Sequence, residues 1–229
     1  MTSPADSRSR REVTIDALAI GAATGAYGIS FGALAVANGF DAWQTQALSV
    51  FMFTGASQFA LVATLGSGGL VVAAVATALL LGMRNGLYAL SLARSLAPRG
   101  WQRPLAAQLT IDESTAMAVA SADDPDPDIL RYAFWATGVS VFVLWNIGTL
   151  IGSLTVGLIG DPRAYGLDAA AAAAFLALLW PRLAHHEARV VAIVAAGVTV
   201  ILIPLVSPGI PVLASALIAV VAGLRRSRP

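Results

Sequence analysis

The sequence predicts an all-α polytopic membrane protein with six to eight hydrophobic helical segments, and three observations carry that prediction. Of its 229 residues, 57% are hydrophobic and 12% charged, about half the charged share of a typical soluble domain. The mean hydropathy is +0.76. Several apolar stretches reach the roughly 20 residues that carry a helix across a bilayer.

Each element follows in chain order. Residues 1–12 are polar, hold Arg8, Arg10 and Arg11, and predict a disordered cytoplasmic tail ahead of a single transporter domain over 13–225. The apolar run 13–37 exceeds the roughly 7–15 residues of a signal-peptide core, so despite "AVA" at 35–37 it reads as an uncleaved first span. Its Gly21, Gly25, Gly28 and Gly32 fall on one helical face, where small residues let a second backbone approach. The next segments are 43–65 with "TGASQ", 70–93 with Arg84 as its one charge before the end, and 104–121 with "TIDEST". Segment 130–159 holds Trp145, Asn146 and Thr149, and its Gly148 and Gly152 match the first glycine face. Segment 166–181 holds Asp168 just before "AAAAAAFLALLW", placed to cap a helix N-terminus. The last two, 188–206 and 209–224, are separated by a turn that Pro204, Pro208 and Pro211 mark, since proline breaks helix interiors. Residues 226–229 are a short cytoplasmic tail. No internal repeat is legible.

Charge placement predicts topology. Arginines cluster at 8–11, 94–103, 182–189 and 225–228, and short cytoplasmic loops collect basic residues. If all eight segments cross with the N-terminus inside, the 94–103 cluster falls outside. If 43–65 and 104–121 each enter and return on one side, all four clusters lie inside. Broken or re-entrant helices are tolerated at depth where protein or a water cavity covers them. Both termini are then cytoplasmic.

An ionisable side chain at mid-bilayer costs about 2.5–3.5 kcal/mol on insertion scales and avoids lipid. Arg84 should therefore face the bundle interior, with Asn85 and Tyr88 beside it; Tyr88 is one turn along the same face. Asp112 and Glu113 supply the opposite sign, and intramembrane acids are the usual proton relays of transporters. Gly55, Ser57 and Gln58 mark a place where a helix unwinds, and a half-helix N-terminus there presents free N–H groups to an anion. Asn146 adds a polar group on the fifth segment. Two readings stay open: a zwitterion site with Arg84 and the acids as its poles, or an interior ion pair that fixes how two helices dock.

Other chemistry is disfavoured. There is no cysteine, hence no disulfide and no thiolate metal site. No phosphate-binding glycine loop points to ATP, no G-x-S-x-G or H-E-x-x-H points to a hydrolase, and no basic stripe with aromatics points to nucleic acid. His185 and His186 are adjacent rather than one turn apart, so no metal is expected there. No cofactor and no enzymatic activity are expected.

"GISFGALAVANGF", "LSVFMFTGASQFA", "LLLGMRNGLYALSLA", "QLTIDESTA", "WNIGTLIGSL" and "YGLDAAAAAAFLALL" together resemble the AzlC family of branched-chain amino acid permeases over about residues 20–180. The resemblance implies an inner-membrane exporter of valine, leucine and isoleucine that works with a small, separate AzlD-type membrane subunit. One departure stands out. The family commonly has histidine after the arginine, where this chain has Asn85, so a proton carried by that histidine has no acceptor at this position.

Overall fold

The computed structural model describes residues 7–159, 176 and 179–226. Their helices are α1 (Arg10–Ala37), α2 (Ala42–Phe51), α3 (Ala56–Gly66), α4 (Val71–Leu96), α5 (Gln102–Leu109), α6 (Asp112–Ala120), α7 (Pro127–Ile159), a short 3-10 turn at Trp180–Ala184, α8 (His186–Leu202) and α9 (Ile210–Arg226). No strand occurs among the described residues. Most of segment 166–181, with Asp168, lies outside them. Helices α1, α4 and α7 are long and apolar enough to cross a membrane, and an all-α polytopic membrane architecture is what these residues form.

The centre of the bundle is the pair α1–α7, its most extensive interface. The two run parallel: Thr14 meets Tyr132 at the start of both helices, while Gly32 meets Thr149 near the end of α1. The glycine faces explain the closeness. A Cβ on Gly25 would lie 2.8 Å from the Leu144 carbonyl oxygen, and one on Gly28 2.9 Å from that of Trp145. Built on Gly148 or Gly152, it would overlap the Gly25 or Ile29 carbonyl oxygen. Backbone rests on backbone, the contact that gains dispersion energy where lipid offers no hydrophobic drive.

Both segments expected to break do so, and each returns to the end it came from. Helix α2 starts five residues after α1 finishes, capped by Asp41. Helix α3 ends at Gly66, packed against Asn38 just past α1. The α2–α3 hairpin therefore enters from the far end of the bundle, where α1 ends. Helix α4 then runs back to the near end, where Arg131 Nε of α7 donates to the Ser95 carbonyl at 3.0 Å. From there α5 enters, and α6 returns to place Met117 beside Val13 and Ile129 at the feet of α1 and α7. The order of helix, far-end hairpin, returning helix and near-end hairpin is an inverted repeat. No repeat is legible in the sequence, because two units of opposite direction share a topology without sharing side chains.

The amino-terminal expectation needs correction. Helix α1 begins at Arg10 rather than Val13, and Ser9 and Glu12 form a capping box, with Glu12 N–H to Ser9 Oγ at 3.2 Å and Ser9 N–H to Glu12 Oε2 at 2.8 Å. Such a box satisfies N–H groups that a helix start leaves free. Ser7 Oγ and the Arg8 N–H donate to Asp124 of the α6–α7 turn at 2.7 and 3.0 Å. Residues 7–12 are thus ordered, and residues 1–6 lie outside the described part. At the far end, the turn before α9 sits against the α3–α4 turn, with Thr77 Oγ1 donating to the Gly209 carbonyl at 3.4 Å.

Candidate functional site

The two hairpin tips meet halfway along α1, α4 and α7, and each tip is built differently. In the first, Gly55 takes φ +55°, a backbone conformation natural to glycine. Gln58 then ties the half-helices together. Its Oε1 accepts the Gly55 N–H at 3.1 Å, and its Nε2 donates to the Leu48 carbonyl at 2.9 Å, so one buried side chain satisfies the start of α3 and the end of α2. The second tip uses the same spacing with a shorter side chain. Ser114 Oγ accepts the Ile111 N–H at 3.1 Å and donates to the Leu109 carbonyl at 2.6 Å. Each tip solves the problem of unpaired backbone groups at depth locally.

Between the tips lies a cavity of about 50 Å³, lined by Thr24, Tyr27, Phe53, Thr54, Gly55, Ala56, Arg84, Ile111, Asp112, Glu113, Val141 and Trp145. Arg84 stands at mid-α4 and its Nη2 lies 2.7 Å from Asp112 Oδ2. Tyr88, one turn on, donates its hydroxyl to Asp112 Oδ1 at 2.9 Å. Both oxygens of Asp112 are therefore engaged from α4. The pair is half-buried, where charges attract more strongly than in water. Glu113, the next residue of α6, faces the same cavity. A volume of about 50 Å³ holds a few waters and is closed to an amino acid in this conformation.

The structure thus brings Arg84, Tyr88, Asp112, Glu113 and Gly55 together. It sets the other candidates apart from the cavity lining. Ser57 is buried against α4 at Gly82, 3.4 Å from where a Cβ would stand, and Gln58 is fully occupied holding its hairpin. Asn146 accepts from Gln46 Nε2 at 3.0 Å and donates to the Phe142 carbonyl at 2.8 Å, locking α2 to α7. Asn85 Oδ1 is buried without a partner, on α4 but away from the cavity lining. Thr24, Tyr27 and Phe53 line the cavity unforeseen, while Trp145 is known from sequence only as a polar group within its segment. Tyr27 stacks on Phe59 at 5.0 Å and meets Trp145 edge-on at 5.5 Å. The Tyr27 hydroxyl and the Trp145 indole N–H are buried and have no partner. A tyrosine inside a glycine-rich span carries no sequence signal of the side it faces. No group of three or more His, Asp or Glu residues is placed to hold a metal among the described residues.

A helical membrane protein with two opposed re-entrant hairpins, meeting at an ion pair and a small polar cavity, is the class that fold and site define. The AzlC family, described as AzlC protein, matches residues 19–159, more than half of the chain. This chain belongs to the AzlC family, and with that comes a role connected to membrane transport. Among curated proteins it is similar to two described as uncharacterized membrane proteins, from Helicobacter pylori strains ATCC 700392 / 26695 and J99 / ATCC 700824. Each is 28% identical over 127 residues, covering 56% of this chain and 55% of the relative. The match thus spans about half the length of these relatives. No solved structure matches.

Proposed function

We propose that this protein is a secondary transporter of the inner membrane that exports branched-chain amino acids by alternating access, coupled to protons. The observation that carries the reading is the Arg84–Asp112–Tyr88 contact at the meeting point of two hairpins that open toward opposite ends. Ion pairs at depth are costly to insert and mark ion and substrate pathways. When the pair parts, Arg84 is released toward a substrate carboxylate, the positive end of α3 faces it, and the Tyr27 hydroxyl and the Trp145 N–H stand nearby as donors. Asp112 and Glu113 receive the ammonium or a proton, and Phe53, Ile111 and Val141 offer an apolar wall to the side chain. The substrate class rests on the family resemblance. So does a small AzlD-type membrane partner. The arginine clusters support cytoplasmic termini.

One observation favours a second reading. Arg84 and Asp112 bond directly, as a pair serving only to dock α4 on α6 would. Export of labelled valine and leucine from dipeptide-loaded cells separates the two, with and without the partner subunit. Under the transport reading, Asp112→Asn and Glu113→Gln each abolish export at unchanged membrane levels, and the Arg84→Asp/Asp112→Arg exchange does not restore it. Full export in both amide variants overturns the carboxylate role. Restoration by the exchange favours docking.

A further inference from the structure

A larger cavity than the one between the hairpin tips lies outside them. A groove of about 520 Å³ separates α5 from α7, lined by Trp101, Leu105 and Leu109 on one wall and Trp135, Val139 and Phe142 on the other, with Gln102 and Gln108. Residues 131, 135, 139 and 142 share one face of α7 at helical spacing. From Arg131, one turn below the groove, to Phe142 the face runs about 16 Å along the α7 axis, and volumes of this size hold small ligands.

The near end of the groove is basic. Arg131 Nε donates to the Ser95 carbonyl at 3.0 Å and Arg103 Nε to the Pro98 carbonyl at 3.3 Å, so both guanidiniums grip the α4–α5 turn, one from each wall. Arg94 and Arg99 belong to that turn and its approach. Nearby acids are placed as follows. Asp128 lies 3.6 Å from Arg131, while Asp124 is turned to Ser7 and Arg8 on the α1 side and Asp126 accepts the Asp128 N–H. Gln108 Nε2 closes the inner end by donating to the Val50 carbonyl at 2.7 Å. A slot with aromatic and aliphatic walls and arginines at its mouth is complementary to an acyl chain bearing an anionic head. Basic pockets between membrane helices take such lipids, each arginine contributing about 1 kcal/mol near the surface.

We infer that the α5–α7 groove is a binding site for an anionic phospholipid, its phosphate against Arg103 and Arg131 and one acyl chain between Trp101 and Trp135. The lipid props the α5–α6 hairpin against α7 on a side that no other described helix covers, a region that must be covered at this depth. The site is independent of what the protein transports.

The test uses the purified full chain in detergent, with native mass spectrometry reading retained lipid. Phosphatidylglycerol is retained in preference to phosphatidylcholine, and Arg103→Gln and Arg131→Gln each cut that preference about fivefold. Inorganic phosphate at millimolar concentration does not displace the lipid. Phosphatidylglycerol carrying a photoreactive acyl chain labels peptides within 101–109 or 135–142, a readout that needs no variant to fold. Equal retention of the two lipids, an unchanged preference in both variants, or labelling confined to other helices overturns the site. Displacement by inorganic phosphate alone overturns the lipid as occupant. A dimer that excludes lipid from 101–109 assigns the groove to a second copy instead.

Discussion

The two hairpins answer one physical problem with different residues. The α2–α3 hairpin is uncharged from Ala42 to Gly66. Its tip turns on a positive-φ glycine and is tied by Gln58. The α5–α6 hairpin turns on extended Thr110 and Ile111, is tied by Ser114, and carries Asp112 and Glu113 at the start of α6. A helix start favours negative charge, and α4 delivers Arg84 to meet Asp112. The same scaffold thus presents an uncharged helix start from one side and carboxylates from the other. Backbone topology is symmetric and electrostatics are not.

The largest effect should strike both hairpins at once, through the helix pair from which they hang. Gly148→Leu forces a side chain into the Gly25 carbonyl, and overpacking against backbone should cost about 3 kcal/mol or more. Little monodisperse protein should survive size-exclusion chromatography in detergent. Gly197→Leu on α8, where a Cβ meets nothing within 4 Å, should behave as the parent. Equal behaviour of the two variants would contradict the α1–α7 seam.

The ties come next and test the equivalence directly. Gln58→Ala orphans the Gly55 N–H and leaves the Leu48 carbonyl with the Met52 N–H alone, and Ser114→Ala orphans the Ile111 N–H and the Leu109 carbonyl. Buried groups left unpaired cost about 1–3 kcal/mol each. Thermal unfolding should show about 2–3 kcal/mol lost for Gln58→Ala, which also opens a cavity, and about 1–2 for Ser114→Ala, which removes a single atom. If Gln58→Ala melts with the parent, its role is not structural and it returns to the list of binding candidates.

The charge asymmetry is expected to be smaller in stability and larger in function. Because Arg84 and Asp112 are only half-buried, Asp112→Asn should lower stability by about 1 kcal/mol. A well-packed Arg84→Met/Asp112→Leu pair should recover that loss, as apolar replacements of ion pairs do, while export stays abolished. A double variant that regained export would reduce the pair to a dock.

How far the sequence foretold this follows from which signals are local. Glycine faces 21–32 and 148–152 are periodic, so their meeting was legible. The two breaks were legible because Gly55 and the Asp112–Glu113 pair interrupt apolar runs, and because the arginines at 94–103 made single crossings inconsistent. Arg84 and Tyr88, at i and i+4, were legible as one face. Tyr27 was not, since its facing depends on how α1 rotates against α7. Gln58 and Asn146 were read as binding groups because a buried amide looks the same in sequence whether it ties backbone or waits for a ligand. Residues 7–9 looked like a free tail because their partner, Asp124, is remote in sequence and no local pattern announces it.

That tether carries the smallest expected effect, and it lies at the near end, outside the membrane segments. The Ser7 hydroxyl, then the N–H groups of Arg8 and Asp126, donate to Asp124 and hold its carboxyl below the ordinary value of 3.8. A depressed folded value means that the tether's contribution is complete above the unfolded carboxylate range and is lost as pH falls through the folded value. Amide exchange at Arg8 and Ser9 should therefore stay slow down to about pH 4 and quicken below it, after correction for intrinsic rates. Asp124→Asn should remove the step, leaving exchange fast and free of that transition throughout. An unchanged step in Asp124→Asn would assign it to another carboxylate, with Glu12 of the adjoining capping box, itself held low by Ser9, the next to substitute.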